Sequence, residues 1–434
     1  MSILLPEVFG VSAKPVRSYI VRDAVDDKFT AALESDRQIV VYGSSKQGKT
    51  ALVSKYLPYK QNIVVSLTPR TNVIDIYNAI LRQLDIRIET AAEESSATQA
   101  GVATSVGFKA FVPFLGGGDA SVKTEAKSTG SEKTAYEEVP FNLELPQDVA
   151  ELIHRVRDSI VVILENFHYL DDNKQQQFAF DLRTFQELGV QFVILGVWRE
   201  KNRLIQFNGD LLDRVTEVPV EPWTESEFEL VAGKGATELN ITLCDQLIKK
   251  CSDASFASIG VFQELLKEVC QLAGICEAGA TILHIEDLEL VDRAIETKAE
   301  QYAARHQRAL ESIAAGNVST SSKDGLAPLF LPYYLIKVLL DAGYDGIASG
   351  MRRATIQERI RAEHHRGEDV RGSDMSNLLH NLAKLQANKN ITPPIIDYDR
   401  TSKLLQLVDS TFYFFLRHAD LERISEEIPN PLDE

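Results

Sequence analysis

Apolar positions along this chain follow two rhythms. Short, nearly continuous apolar runs occur at 37–42, 62–67, 160–164, 191–197 and 215–220. Between them lie segments with apolar residues every three or four positions, such as Val73, Ile76, Ile80 and Leu84. The first rhythm predicts strands buried on both faces, and the second predicts amphipathic helices near 73–84, 147–157 and 174–188. Continuous strands alternating with helices predict an α/β fold around a parallel sheet.

Residues 88–145 break this order and are rich in Ser, Thr, Ala, Gly and Glu. Within them Val106, Phe108, Ala110, Val112 and Phe114 alternate with other residues. A Gly116–Asp119 turn signal follows, and then Val122, Thr124 and Ala126 alternate again. This predicts an inserted β-hairpin. It either docks on its own domain or pairs with another chain. Residues 225–311 read as helical throughout, and 316–325 read as a polar linker. After the linker come helices near 331–340, 355–361 and 373–386. Two extended stretches, 394–398 and 404–408, then form a ribbon. That order, three helices and a ribbon, is the order of a winged helix.

Composition narrows the class. The chain has 434 residues, 44% hydrophobic and 25% charged, with a formal charge of −17. These proportions exclude global disorder. The acidity excludes a surface that coats nucleic acid everywhere, so any such contact needs a local basic patch. Residues 352–403 carry ten Lys/Arg against seven Asp/Glu. That excess suits double-stranded DNA contact through the winged helix, or else a packing module. Lys384 is the one basic residue in the third helix, beside Asn377, His380 and Asn381, so base-specific reading has no support. No run is long and apolar enough for a membrane span. The N-terminus lacks the features of a secretory signal. Cys244, Cys251, Cys270 and Cys276 form no CxxC pair and read as small buried residues of a cytoplasmic protein.

The chemistry concentrates at Gly43-Ser44-Ser45-Lys46-Gln47-Gly48-Lys49-Thr50, a full match to G-x-x-x-x-G-K-[ST] between a strand and a helix. The glycines let successive N–H groups turn inward, and the helix N-terminus adds to the anion cradle. In this motif Lys49 reaches the β- and γ-phosphates of ATP, and the Thr50 hydroxyl binds Mg²⁺. The apolar run 160–164 ends in Glu165-Asn166-Phe167-His168. Glu165 is the candidate carboxylate for the metal's water shell. Asn166 can orient a water but cannot take its proton, which predicts slow or partner-governed hydrolysis. His168 reads as a structural histidine or as a contact to the γ-phosphate.

These residues resemble the AAA+ and STAND lineages of ASCE-type P-loop ATPases, in the layout of Orc/Cdc6-like and TnsC/TniB-like proteins. The resemblance implies a strand order of 5-1-4-3-2, a helical lid and a C-terminal winged helix. The implied domains are 1–222 (core, with the insertion at about 88–145), 223–315 (lid) and 328–418 (winged helix). Lys49 and Thr50 take the Walker A positions and Glu165 the Walker B acid, and Asn166 replaces the usual catalytic acid. Arg199 falls at an arginine sensor, or else serves a surface salt bridge, and Arg214 falls at the arginine-finger position, which acts on a neighbouring subunit and so implies a homo-oligomer. Tyr19–Arg22 falls where relatives pack against adenine. The segment 255–261 lacks the second sensor arginine. The implied function is a slow ATPase switch that couples nucleotide state to assembly and to DNA or partner binding, in genome maintenance, mobile elements or phage defence. The alternative is a non-hydrolysing, ATP-binding DNA regulator. A small-molecule kinase is disfavoured because no acceptor pocket is legible.

Overall fold

The computed structural model describes residues 2–12, 15–90, 108–113, 136–158, 160–316 and 327–433. Five parallel strands form its central sheet. In chain order the first strands are β1 (Gln38–Gly43), β2 (Ile63–Ser66), β3 (Arg87–Thr90), β4 (Phe108–Pro113) and β5 (Tyr136–Phe141). They are followed by β6 (Val161–Glu165), β7 (Gln191–Val197) and β8 (Val215–Pro219). The central sheet runs β2-β6-β7-β1-β8. Counting only its own strands, that is the expected order 5-1-4-3-2.

β1 shows why these strands are apolar throughout. Val40 and Tyr42 join one buried cluster, with Ile76, Leu164, Phe178 and Trp198. Ile39 and Val41 join another, with Phe29, Leu52 and Val193. Alternate side chains thus enter opposite layers, and neither face of the strand meets water. Because all five strands point the same way, the ends of β1, β6, β7 and β8 share one edge. The register places Gly43 beside Val197 and Tyr42 beside Pro219. Glu165 lies beside Ser66 on that edge.

The insertion is built differently from the expected hairpin. β4 pairs antiparallel with β3 on one side and β5 on the other. Both edges of Phe108–Phe111 are therefore taken, by strands other than the expected second arm at 122–126. That arm and the Gly116–Asp119 turn lie outside the described residues. Alternation did find β4, but its partners are distant in sequence and carry no turn signal. Ala110, Val112, Val139 and Phe141 are buried in the main α/β cluster. The three-stranded sheet therefore docks on its own domain.

Residues 225–314 are not helical throughout. Two short parallel strands, β9 (Ile241–Leu243) and β10 (Leu283–Ile285), pair between helices. The first residues of the chain also belong to this region: Leu5, Val8 and Phe9 are buried with Phe228, Val231 and Phe262. A long helix, Glu289–Ala314, leaves this cluster and enters the next. Its Val291 and Ala294 pack in the first, and its Ala309, Leu310 and Ile313 pack in the C-terminal cluster.

The C-terminal region contains helices Leu331–Ile347, Arg353–Glu363, Gly372–His380 and Leu382–Asn388. The helix expected at 373–386 is thus two helices, broken at Asn381. The ribbon has a third strand. β11 (Met351–Arg352) pairs with β13 (Leu404–Leu407), which also pairs with β12 (Ile396–Asp399). Beyond it lie helices Ser410–His418 and Leu421–Glu427. The polar linker falls mostly outside the described residues. No described helix is long and apolar enough to cross a membrane. Cys251 and Cys270 are buried as expected, but Cys244 is half-buried and Cys276 exposed.

Candidate functional site

The loop after β1 has the backbone its motif requires. Lys46 (φ 59°) and Gly48 (φ 84°) sit in the left-handed region, which turns the intervening N–H groups to one side. Lys46 adopts this conformation despite its Cβ, and such strain persists only where the surroundings fix it. The N–H groups of Lys46, Gln47 and Gly48 have no acceptor among the described residues. Helix Lys49–Tyr56 starts immediately afterwards, so its free N-terminal donors extend the same cradle. N–H groups turned together toward a cavity at a helix N-terminus suit an anionic acceptor.

Lys49 is buried, and its Nζ donates to Gly43 O (2.9 Å) and Ser44 O (2.6 Å). Burial lowers its pKa to about 8, and the nearby Glu221 carboxylate partly opposes that effect. Thr50 Oγ1 donates to Glu165 Oε1 at 3.2 Å, and the Tyr59 hydroxyl donates to the same oxygen at 2.6 Å. The expected metal pair, Thr50 and Glu165, is therefore together. One hydroxyl and one carboxylate suit Mg²⁺, which takes its remaining ligands from water and phosphate. No cluster of three or more His, Cys, Asp or Glu among the described residues forms a separate metal cage.

A cavity of about 260 Å³ opens beside this loop, lined by Lys46–Leu52, Val16, Tyr19, Ile20, Val231 and Ile259. The expected entry segment Tyr19–Arg22 is thus in the wall. Its architecture is ionic: Asp26 accepts from the hydroxyls of Tyr19 (2.9 Å) and Tyr56 (2.8 Å) and from the Arg22 N–H (2.9 Å). The Arg22 guanidinium lies 3.9 Å from the Trp223 ring centre and donates to Val220 O and Pro222 O. The far wall is helix Ile259–Leu272. A Cβ built on Gly260 would lie 2.4 Å from Lys46 Cβ and 2.6 Å from Lys46 O. Gly260→Ala is therefore expected to push this helix off the loop at a cost of about 1–3 kcal/mol. The check is a lower thermal midpoint together with weaker nucleotide binding.

Arg199 lies on the same sheet edge, on the other side of the loop. Its Nε is 3.2 Å from Glu221 Oε1, and Nη1 donates to the Tyr413 hydroxyl at 2.7 Å. Glu221 in turn accepts from the N–H (2.8 Å) and hydroxyl (3.0 Å) of Ser44. Asn166, at φ 61°, follows β6 and makes no side-chain hydrogen bond within the described residues. Arg214 is at the opposite end of the sheet. Its carbonyl pairs with the first residue of β1, Gln38, and its guanidinium binds Gln186 (2.8 Å) and Glu187 (3.3 Å). It does not join the loop of its own chain.

The C-terminal region reaches the loop through residues that sequence reasoning missed. The Ser45 N–H donates to Val408 O (2.8 Å), and the Ser45 hydroxyl donates to Asp409 Oδ1 (3.1 Å). The Ser410 hydroxyl donates to Ser45 O at 2.7 Å. Asp409 is fully buried, and its Oδ2 makes a charge contact with Arg305 Nη2 at 2.7 Å. Asp409 caps helix Ser410–His418 by accepting from Thr411 N, and an Asp-Ser-Thr run before apolar residues is a legible helix start. Nothing in the sequence says that this cap also clasps Ser45.

The expected basic patch is partly spent inside the fold. Arg353, Arg361 and Arg366 bind backbone carbonyls. Arg359 pairs with Asp341, and Arg400 pairs with Asp172 of the α/β region. Arg203 reaches Asp397 at 3.2 Å across the same seam. Leu379, His380 and Ala383, in the segment expected as the third helix, line a narrow gap against Asp172 and Arg203.

No protein-family model and no curated protein matches this chain. Among solved structures, a Walker-type ATPase of Pyrococcus abyssi is similar at 13% identity and a TM-score of 0.47, over 94% of this chain and 99% of that one. The Aeropyrum pernix ORC2 protein in ADPNP–ADP complexes gives 12% and 0.40, over 93% and 92%. The Thermotoga maritima RuvB Holliday junction branch migration motor gives 13% and 0.38, over 92% and 96%. At these scores the likeness adds no weight, and the fold rests on the sheet order and the loop.

Proposed function

We propose that this chain is an ATP-binding, slowly hydrolysing switch of AAA+/STAND type. One observation carries the reading. Unpartnered loop N–H groups, Lys49 and the Thr50–Glu165 pair converge on one sheet edge, next to a cavity walled by Tyr19, Ile20 and Ile259. In this reading the N–H groups and Lys49 hold the phosphates, the cavity holds the base, and Thr50 with Glu165 holds Mg²⁺. The metal supplies charge neutralisation on the phosphates. Asn166 orients water without accepting its proton, so turnover is slow. Arg199 serves as the nucleotide sensor, and Arg214 acts on a neighbouring copy, which makes the active form a homo-oligomer.

We assign the units to 1–222, 223–315 and 328–418, with the segment at Leu5–Phe9 of the first packed on the second. We read the last as a winged helix, because a short strand, three helical segments and a two-stranded ribbon follow in the required order. The Val408–Ser410 clasp on Ser45 supports a switch, since the C-terminal unit then senses the loop directly. DNA contact through Leu379–Ala383 requires release from Asp172 and Arg203. A non-hydrolysing regulator is the second reading, favoured by Asn166 at the catalytic acid position.

The experiment combines calorimetric titration with Mg-ATP, phosphate release, and sizing with and without a non-hydrolysable ATP analogue and duplex DNA. Heat of binding, slow turnover and a mass increase with the analogue are expected. Absence of heat with Mg-ATP overturns the nucleotide reading, and binding without phosphate release favours the regulator.

A further inference from the structure

His168 follows Glu165 in the short helical turn after β6. Its Nδ1 accepts the Val197 N–H at 3.3 Å, and Val197 is the β7 residue beside Gly43. The ring therefore hangs over the sheet edge next to the phosphate loop. Burial, then the charges of Lys49 and Arg203, lower its pKa to about 3. The imidazole is thus neutral at physiological pH, and its single proton sits on Nε2 because Nδ1 is an acceptor. That Nε2 is buried and has no hydrogen-bond partner among the described residues. A buried donor without an acceptor is costly and rare. A neutral ring beside Lys49 cannot act as an acid or base near pH 7, but it can donate without adding charge repulsion.

We propose that the Nε2–H of His168 donates to the terminal phosphate of a bound nucleoside triphosphate and so distinguishes triphosphate from diphosphate. This inference rests on the nucleotide reading above and adds a residue to it. The oxygen of a γ-phosphate satisfies the orphaned donor. A diphosphate, which ends one group earlier along the loop, leaves it unpaired. Contact with the β7 end through Val197 ties the same ring to the strand that leads to Arg199.

Two substitutions separate this role from a structural one. The Asn side-chain oxygen can replace Nδ1 as the Val197 acceptor but loses the distal donor. The Gln side-chain nitrogen can replace Nε2 but loses the acceptor. Affinities for ATPγS and ADP, each with Mg²⁺, are measured by fluorescence competition, with thermal melting to verify folding. His168→Asn is expected to weaken ATPγS about tenfold and to leave ADP within about twofold. His168→Gln should keep most of the difference between the nucleotides. Equal losses for both nucleotides, or a Gln variant worse than the Asn variant, would assign the ring to strand support alone and overturn the proposal. Wild-type protein that binds neither nucleotide defeats the parent reading and this one together.

Discussion

Lys49→Ala is expected to weaken Mg-ATP binding about a hundredfold and to abolish phosphate release above background. The size follows from the environment. The Lys49 ammonium is buried, and removing it takes away the cation at the phosphate loop and leaves the Glu221 carboxylate nearby, offset among the described residues by Arg199 alone. The lowered pKa of about 8 adds a pH signature. A bound phosphate favours the charged amine, so the pKa rises on binding. Nucleotide binding above pH 8 should therefore take up a proton, and affinity should fall as pH rises further. Calorimetry in buffers of different ionisation heat measures that uptake. In wild type the heat should vary with buffer at pH 8.5, and in the variant any residual heat should not. Undiminished affinity in Lys49→Ala would exclude Lys49 from the phosphate site.

The second large effect is expected at Asp409. Its carboxylate joins three parts of the molecule: the Ser45 hydroxyl, Arg305 on the long helix, and the start of its own helix. Asp409→Ala removes all three links. Arg305 is 37% exposed, so water takes over part of the lost pairing, and the cost should be about 2–4 kcal/mol. The checks are a lower thermal midpoint and a larger radius of gyration in solution scattering, as the C-terminal unit leaves the loop. An unchanged midpoint and radius would show that the clasp contributes nothing. Burial pushes the Asp409 pKa up, but Arg305, His306 and the Thr411 bonds leave it below the usual carboxylate value. A lowered carboxylate pKa stabilises the fold above about pH 4, and that contribution is lost as the pH falls further. Acid should therefore loosen the clasp in wild type, with no such component in Asp409→Ala.

What the sequence made legible follows from locality. β1, the loop and helix Lys49–Tyr56 are contiguous, and their pattern has one physical solution. Glu165 and Arg199 were legible because apolar runs fix where strands end, and parallel strands end on one edge. Tyr59, Glu221 and Asp409 were not legible. Tyr59 occupies an ordinary turn, and its contact with Glu165 depends on how that turn packs. Glu221 lies just past the end of β8, in a short stretch where no pattern singles it out. Asp409 lies more than 360 residues from Ser45, and no periodicity encodes that meeting. In the insertion, alternation marked β4 but did not name its described neighbours, β3 and β5. The arginines of the basic patch also read as free charge until their carbonyl and carboxylate partners appeared.

The helix Glu289–Ala314 has 26 residues and so extends about 39 Å at 1.5 Å per residue. One end is seated with the wall of the cavity beside the loop, and the other is embedded in the C-terminal core. A helix so anchored works as a lever arm: a tilt of about 5° at the near end displaces the far end by about 3 Å. Arg305 and His306 ride on that arm and touch Asp409 and Thr411. A small reorientation around the nucleotide base would thus be magnified where it bears on the clasp, without any contact between the base and the C-terminal unit.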